Sequence, residues 1–139
     1  WAERFTEPVS QMLRRAGKEI SWATARAARD AMVQRIDAWY GDADLWLLPT
    51  LPDTPPKVGQ YASASPEETF AGTAQLGYFT AVFNASGHPA VSLPAGLDGH
   101  GVPIGVQLVG RRDGDEALLA TARSLGLQRI FPPRFFLPL

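Results

Sequence analysis

The sequence predicts an α/β fold with about three strands and three to four helices. Between Ser21 and Tyr40, apolar residues recur every three or four positions, which is the period of an amphipathic helix. Three apolar or alternating runs of strand length follow, at 45–48, 89–95 and 103–110. Because helical and strand patterns alternate along the chain, we expect helices to be layered on a sheet.

Two helices are expected before the first strand. A short helix runs around Glu7 to Ala16 and is ended by Gly17, a residue that tolerates the backbone conformation of a helix C-terminus. The longer helix has Ser21 as its N-cap. Its apolar stripe comprises Trp22, Ala25, Ala28, Met32, Ile36 and Trp39.

The first strand is the apolar run from Leu45 to Leu48, which Pro49 stops. A run without polar residues predicts a strand that is buried on both faces. The next segment, 51–64, is rich in Pro and Gly, which predicts a loop. Loops of this length are often functional or cover a site.

A third helix is expected to begin after this loop. Ser65, Pro66 and Glu68 have the spacing of a capping box, which marks a helix N-terminus. The helix is expected to end near Asn84 to Gly87, where Asn and Gly tolerate a positive φ. One of its faces combines small and aromatic side chains: Phe70, Ala74, Gly77, Tyr78 and Ala81.

The rest of the pattern predicts a hairpin and a final helix. The strands 89–95 and 103–110 flank the turn sequence LDGHGV. The final helix is capped by Asp113 or Asp115 and closed by Gly126. Its buried stripe is Leu118, Ala122 and Leu125. The apolar tail FPPRFFLPL is expected to dock on protein, and a sheet with so few strands looks incomplete.

The composition excludes several classes of function. The 139 residues have a net charge of −1, so no overall field attracts nucleic acid or an anionic membrane. The chain has no cysteine, which rules out disulfides, a cysteine nucleophile and thiolate metal sites. With neither an apolar run of transmembrane length nor a signal peptide in the sequence, a cytoplasmic location is expected.

The sequence shows no set of residues with the spacing of a catalytic or metal-binding site. His88 and His100 lie in turns without a partner at ligand spacing, so neither a metal nor a cofactor is expected. Ser86 is followed, not preceded, by a strand, which is unlike a nucleophile elbow, and we interpret it as a turn former. Lys18 and Lys57 stand in polar settings, unlike the desolvated lysines that act as general bases.

Two features leave a choice between structure and binding. Asp113, Asp115 and Glu116 suit the N-terminus of the last helix. Asp115 is also placed to point into a cleft beyond the strand end, where open α/β sheets bind ligands. Gly77 and Ala81 either permit close packing of a helix or leave room for a substrate.

Three segments together resemble the C-terminal portion of the amidase signature family. Asp44 to Thr50 has an acidic residue that leads an apolar strand into Pro-Thr. Asn84 to Gly96 has an Asn-x-x-Gly-x-Pro-Ala turn into a strand that ends in Pro-x-Gly. Gly101 to Glu116 has a Gly-x-Pro-x-Gly-x-Gln strand before an acidic helix start. The segments follow the family's order and spacing, and the resemblance covers about residues 20–126.

The resemblance implies that residues 1–139 are the C-terminal segment of a single α/β/α amidase domain with a mixed sheet. It implies hydrolysis of amide C–N bonds by a nucleophilic Ser, a bridging cis-Ser and a Lys. In the family those groups lie in an N-terminal portion, and this chain has no Gly-Gly-Ser-Ser run. We therefore assign no catalytic residue within the chain and expect the chain alone to be inactive.

The resemblance also implies a part in substrate binding. In the family, the helix before the Asn84 turn lines the acyl or side-chain pocket, which assigns Ala74, Gly77, Tyr78 and Ala81 to that pocket. Asp115 occupies the position of an acidic residue that helps to hold a substrate amine. The expected partners are a small-molecule amide and the missing N-terminal portion. Neither nucleic acid nor a membrane is expected, and a homo-oligomer stays open.

A non-catalytic alternative also stays open at this point. The chain would then be a degenerate amidase-like module that is retained for binding, with apolar surface left by missing strands as its contact to a partner protein. For the catalytic interpretation, the substrate is undecided among small aliphatic amides, aryl amides, amino-acid amides and tRNA-linked glutamine transfer. A plain amidohydrolase is favoured because the sequence shows no feature for binding tRNA.

Overall fold

The fold is described by a computed structural model, which covers residues 6–126. Over these residues the chain forms five α-helices, a short 3-10 helix and three β-strands. The elements in chain order are α1 Pro8–Lys18, α2 Trp22–Tyr40, β1 Leu45–Pro49, α3 Pro66–Ala74, the 3-10 helix Gln75–Gly77, α4 Ala81–Ser86, β2 Ala90–Leu97, β3 Pro103–Gly110 and α5 Asp115–Ser124. The predicted α/β class and the three strands are confirmed, whereas five α-helices are present instead of three to four because the third predicted helix is interrupted.

The three strands form one antiparallel sheet in the order β1-β3-β2. The central strand β3 is the most deeply buried, and its last four residues, 107–110, are all buried. Val109 is fully inaccessible to solvent. A strand with a neighbour on each side and helices on both faces loses most of its surface, which explains why the core is centred on β3.

Two apolar cores lie on opposite faces of the sheet. The first core joins α2 and α4 to β3 and comprises Ile36, Tyr40, Phe83 and Val109. The second core joins α5 to β2 and β3 and comprises Leu93, Leu108, Leu118 and Ala122. Helices therefore cover the sheet from both sides, in α/β/α layers. Among the helices of residues 6–126, none combines the length and apolarity that crossing a membrane requires.

The prediction that β1 is buried on both faces is wrong. Trp46 and Leu48 pack against the first core, and Leu45 packs against the second. Leu47, however, is 67% exposed. The reason is the strand order, since β1 lies at the edge of the described sheet and α5 packs mainly on β2 and β3.

The capping predictions at Ser21 and Ser65 are confirmed. The Ser21 side chain accepts a hydrogen bond from the Thr24 backbone N–H at 3.1 Å. Ser65 and Glu68 form both hydrogen bonds of the capping box, at 3.1 and 2.8 Å. The hydrogen bonds from the Ser65 backbone and side chain lower the pKa of Glu68. Of the predicted stripe of α2, Met32 and Ile36 are covered, whereas Trp22 and Trp39 at its two ends are 86% and 82% exposed.

The expected continuous helix from Pro66 to about Asn84 is wrong. The chain leaves the α-helix after Ala74, forms the 3-10 helix, and resumes α-helical structure at Ala81. At Thr80 φ is −115°, outside the helical range. Gly77 lowers the helix propensity here, and the interruption frees carbonyl groups that a continuous helix would use internally.

The two remaining helix ends differ in detail from the expectation. The first helix continues through Gly17 to Lys18, because a glycine can also adopt ordinary helical angles. The N-cap residue of α5 is Gly114, not Asp113 or Asp115, and no side-chain hydrogen bond caps this helix. Asp113 lies in a turn with φ 60°, and a Cβ at Gly114 would lie 2.8 Å from the Arg111 carbonyl oxygen.

The buried stripe of α5 is shorter than predicted. Leu118 and Ala122 are buried as expected, but Leu125 is 49% exposed because it follows the end of the helix. Gly126, with φ 65°, closes the helix as predicted. The apolar tail that was expected to dock on protein lies outside the residues that the structure describes.

Candidate functional site

The candidate site lies on the face of the sheet that α2 and α4 cover. The strand register places Trp46, Val109 and Ala90 in one row across this face. The next row is Leu48, Gln107 and Ser92. Thr50 follows β1, and its backbone N–H donates to the Gly105 carbonyl at 3.1 Å, which extends the rows by one position. Each row thus combines residues from all three strands.

An apolar cavity of about 490 Å³ opens on this face. Its walls come from α2, from β1 and from the segment 78–83 that contains the helix interruption. The lining residues are Met32, Arg35, Ile36, Trp39, Trp46, Leu48, Tyr78, Phe79, Val82 and Phe83. A hollow lined mainly by aromatic and aliphatic side chains suits an apolar group of a ligand or of another polypeptide.

Two hydroxyl groups meet on the same face of the sheet, next to the row that contains Gln107. The oxygens Thr50 Oγ1 and Ser92 Oγ are 2.7 Å apart, although the residues belong to different parts of the sheet. They meet above Gly105, where an added Cβ would lie 3.0 Å from Thr50 Oγ1 and 3.2 Å from Ser92 Oγ. A side chain at position 105 would therefore separate them, and Gly105 is the residue that lets this polar spot form.

The buried Gln107 ties the interrupted helix to the sheet. Its side chain is 4% exposed, and its Nε2 donates to the Phe79 carbonyl at 2.6 Å. Leaving a buried amide or carbonyl without a partner costs roughly 1–3 kcal/mol. The interruption at 75–80 provides that carbonyl, so Gln107 fixes the position of the segment that lines the cavity.

The structure brings only some of the predicted binding residues to the cavity. Tyr78 lines it and is 68% exposed. Gly77 and Ala81 are adjacent, since a Cβ at Gly77 would lie 3.6 Å from the Ala81 Cβ. That distance is an ordinary contact, so close packing does not require glycine there. Ala74 is the exposed last residue of α3 and does not line the cavity.

Asp115 is not brought to this cavity. It is the exposed first residue of α5, which packs on the opposite face of the sheet. With Glu116 it places acidic charge in the first turn of α5, and this charge stabilises the positive end of the helix. Within residues 6–126 no group of three or more His, Cys, Asp or Glu side chains is arranged to hold a metal.

Ser86 and His88 belong to a buried polar network that the sequence pattern does not predict. Ser86 Oγ and His88 Nδ1 are 2.9 Å apart, and His88 Nε2 lies 3.3 Å from Asp37 Oδ1. Asp37 also forms an ion pair with Arg112. The network therefore connects α2, the turn between α4 and β2, and the turn before α5.

The geometry of this network is structural, not catalytic. Ser86 ends α4 before Gly87, whose φ of 78° makes the turn, as predicted for a turn former. It is only 6% exposed, so a substrate carbonyl has no access to its oxygen. The Asp37 carboxylate is already neutralised by Arg112. A serine hydrolase needs an accessible nucleophile, and Ser86 does not meet this requirement.

The rings around His88 complete the network. The side chain of His88 is 2% exposed and stacks on Tyr40, with ring centroids 5.7 Å apart. Tyr40 donates a hydrogen bond to the Val109 carbonyl, and the Arg111 guanidinium lies over its ring at 5.2 Å. Burial raises the pKa of the Tyr40 phenol. Burial likewise lowers the pKa of His88, and this effect exceeds the opposing attraction of Asp37.

The stability of the chain is expected to fall when the pH drops below about 6.5, the ordinary pKa of histidine. The folded pKa of His88 lies below the unfolded one, so between the two values the unfolded state binds more protons. Stability is therefore retained above the unfolded pKa and lost as the pH falls through the folded one. Urea unfolding midpoints at about pH 7.5 and about pH 5.5 measure the change.

Two histidine variants test the assignment of this pH dependence. His88→Gln is expected to reduce it, because the titrating group is removed. His100→Gln is the matched control and is expected to keep it, since His100 lies exposed in the turn between β2 and β3. An unchanged pH dependence in His88→Gln would show that another group is responsible.

The layered fold, the apolar cavity and the interrupted helix define an α/β/α protein with a cleft on one sheet face. The sequence model of the Amidase family matches residues 1–119. The chain belongs to this family, and the resemblance inferred from the three sequence segments is confirmed.

Relatives and solved structures agree with this membership. A glutamyl-tRNA(Gln) amidotransferase subunit from Neisseria meningitidis serogroup B is 37% identical over 103 residues, which are 74% of this chain and 20% of the relative. A 6-aminohexanoate cyclic dimer hydrolase in complex with its substrate matches with a TM-score of 0.68 and 27% identity, over 91% of this chain and 29% of that one.

A third match shows the same pattern of coverage. An allophanate hydrolase from Kluyveromyces lactis matches with a TM-score of 0.67 and 25% identity, over 86% of this chain and 19% of that one. The chain thus spans about a fifth of the length of the curated relatives it matches.

Proposed function

We propose that this chain forms one wall of the substrate cleft of an enzyme that hydrolyses amide C–N bonds. In this proposal the nucleophilic Ser, the cis-Ser and the Lys come from polypeptide outside residues 1–139. The observation that carries it is the coverage: 74% of the chain matches a relative of which it spans 20%, while the chain has no Gly-Gly-Ser-Ser run. By their names, the three related proteins are two hydrolases and one subunit of an amidotransferase.

The substrate is proposed to lie along the segment that interrupts the third predicted helix. Tyr78 lines the apolar cavity. Ala74, Gly77 and Ala81 are small residues beside it and would leave room for a substrate. The hydroxyls of Thr50 and Ser92 supply polar contacts at the end of the same sheet face. Asp115 is left out of this pocket because α5 packs on the opposite face.

This arrangement favours an amide with an apolar or aromatic portion. The cavity walls are apolar, and the charged side chain among the lining residues is that of Arg35. Desolvating a charged group in such a pocket would be unfavourable without a partner. We therefore propose that small aliphatic or aryl amides are accepted in preference to charged ones.

The purified 139-residue chain is expected to hydrolyse no amide. The described part contains no accessible serine paired with a base, and the serine nearest to a histidine is buried. A panel of an aliphatic amide, an anilide, an amino-acid amide and glutamine tests this by measuring ammonia or amine release. Turnover that follows the chain and disappears in Ser86→Ala, but not in the exposed control Ser124→Ala, would overturn the proposal.

Co-expression with the polypeptide encoded directly upstream of Trp1 tests whether the combined protein hydrolyses amides. Amide hydrolysis is expected to appear in the combined protein and to require the upstream Ser and Lys. If the gene encodes no such segment upstream, the non-catalytic binding module is the better description and the proposal fails.

A further inference from the structure

Arg35 is a charged residue on the apolar face of α2 that borders the cavity. Met32 lies three positions before it, Ile36 is the next residue and Trp39 lies four positions after it, so all four share one side of the helix. This side of α2 forms a wall of the cavity of about 490 Å³, and all four residues line it. The other three are apolar, as expected for a face that packs on a protein interior. The arginine is the exception that needs an explanation.

The guanidinium of Arg35 has no partner among residues 6–126. It takes part in no hydrogen bond or ion pair between described residues, unlike Arg29 and Arg112, which are paired with Asp30 and Asp37. No acidic side chain of the described residues lines the cavity. Arg35 is also exposed, which places it at the rim, between the apolar walls and water. Its N–H donors are therefore available to a ligand.

A guanidinium in this position distinguishes ligands by the sign of their charge. It attracts a carboxylate, with which it can form two parallel hydrogen bonds, and it repels an ammonium group. The walls beside Arg35 are aromatic and include the rings of Trp39, Trp46, Tyr78 and Phe83. The cavity and its rim together therefore match a molecule that has an apolar body and a negatively charged end.

We propose that Arg35 is a specificity-determining residue of the cleft, which admits amides whose apolar body carries a carboxylate and excludes those that carry an ammonium group. The inference rests on the proposed function and names the charged substrates that the cleft accepts. A charged group in an apolar cavity is unfavourable without a partner, and Arg35 supplies a partner to an anion only. Uncharged amides need no such partner, so Arg35 does not affect them.

The competing explanation is that Arg35 merely covers apolar surface with its aliphatic stem. Two substitutions separate the explanations. Arg35→Met keeps an unbranched apolar side chain and removes the charge, whereas Arg35→Lys keeps the charge. Arg26→Met is the matched control, because Arg26 is exposed on the same helix but does not line this cavity.

The decisive experiment measures the binding of phenylbutyrate, phenylbutylamine and phenylbutanol to the 139-residue chain. The probes share one apolar body and differ in the charge at its end. Tryptophan fluorescence follows binding, since Trp39 and Trp46 line the cavity. The chain is expected to bind phenylbutyrate about threefold to tenfold more tightly than phenylbutylamine, as for a charge pair at a rim. Added salt is expected to reduce this ratio.

The variants assign the ratio to one residue. Arg35→Met is expected to bring the dissociation constants of the two charged probes together and to leave that of phenylbutanol unchanged. Arg35→Lys and Arg26→Met are expected to keep the ratio. Equal binding of the charged probes by the wild type, or a ratio that persists in Arg35→Met, would overturn the inference. Failure of all three probes to bind would also overturn it, because the cavity would then be closed to small molecules.

The outcomes separate this inference from the proposed function. The probes contain no amide and are offered to the chain alone, whereas the proposed function is tested by amide hydrolysis in the combined protein. A ratio that Arg35→Met abolishes, together with a combined protein that hydrolyses no amide, supports the role of Arg35 and contradicts only the proposed function. Hydrolysis that proceeds equally well with carboxylate-bearing and ammonium-bearing amides contradicts only the inference.

Discussion

Replacing Tyr40 with alanine is expected to lower the free energy of unfolding by about 3–5 kcal/mol, the usual cost of removing a buried aromatic side chain. Tyr40 is 3% exposed, and its ring stacks on Trp46 with the centroids 4.8 Å apart. It also stacks on His88 and donates to the Val109 carbonyl. The alanine variant therefore loses packing on two sides and a hydrogen bond to the central strand.

The phenylalanine variant of the same residue separates these two contributions. Tyr40→Phe keeps both stacking contacts and removes only the hydroxyl, so we expect a loss of about 0.5–1.5 kcal/mol. Urea unfolding monitored by tryptophan fluorescence measures both variants, because Trp46 lies against the ring. If alanine and phenylalanine destabilise the protein equally, the ring does not contribute the packing that the structure shows.

Replacing Leu118 with alanine is expected to cost about 2–5 kcal/mol, as for other buried leucines. Leu118 is 3% exposed and is the main contact of α5 with the second core, where it packs with Leu93 and Leu108. Its Cβ also lies 3.4 Å from the position that a Cβ would take at Gly110. The cavity left by alanine cannot be filled without moving α5 toward the sheet.

The adjacent residue provides a control with the same chemistry. Leu119 belongs to the same helix but is 48% exposed, so Leu119→Ala is expected to change stability by about 0.5 kcal/mol or less. The comparison uses the denaturant midpoint of each variant at equal protein concentration. Comparable losses at the two positions would contradict the packing of α5 on β2 and β3.

Local chemistry is sufficient to predict most of the elements. The caps at Ser21 and Ser65 are formed by residues three apart, and their hydrogen bonds need no distant partner. The strand at 103–110 is predictable with its observed bounds because its alternating pattern and flanking turns are local. The fold class follows from such elements in sequence.

Burial is harder to predict because it depends on which element lies opposite. Leu47 and Trp39 have the side chains of core residues, but no described element covers them. The interruption of the helix at 75–80 goes with a hydrogen bond from the buried Gln107 side chain to the Phe79 carbonyl, and this long-range contact is invisible in the local pattern. The only sign of this contact in the sequence is that Gln107 is a polar residue in the middle of an apolar strand.

The candidate site is predictable only in part for the same reason. Tyr78 is identified through family resemblance, and it does line the cavity. The hydroxyl pair of Thr50 and Ser92 depends on the register across Gly105, which the sequence does not specify. The His88 network likewise requires Asp37 from α2, far away along the chain.

The long separation of these contacts has a consequence for the order in which the chain folds. Tyr40 bonds to Val109 across 69 residues, whereas β2 and β3 are joined by a short turn. Bringing distant segments together costs more chain entropy than closing a hairpin, so we expect the hairpin and α5 to form before α2 and β1 dock on β3. Because α2 and β1 supply two walls of the cavity, the cavity arises only in that last step. A chain in which α2 and β1 have not yet docked lacks two walls of the cavity and so has no formed cavity for a ligand.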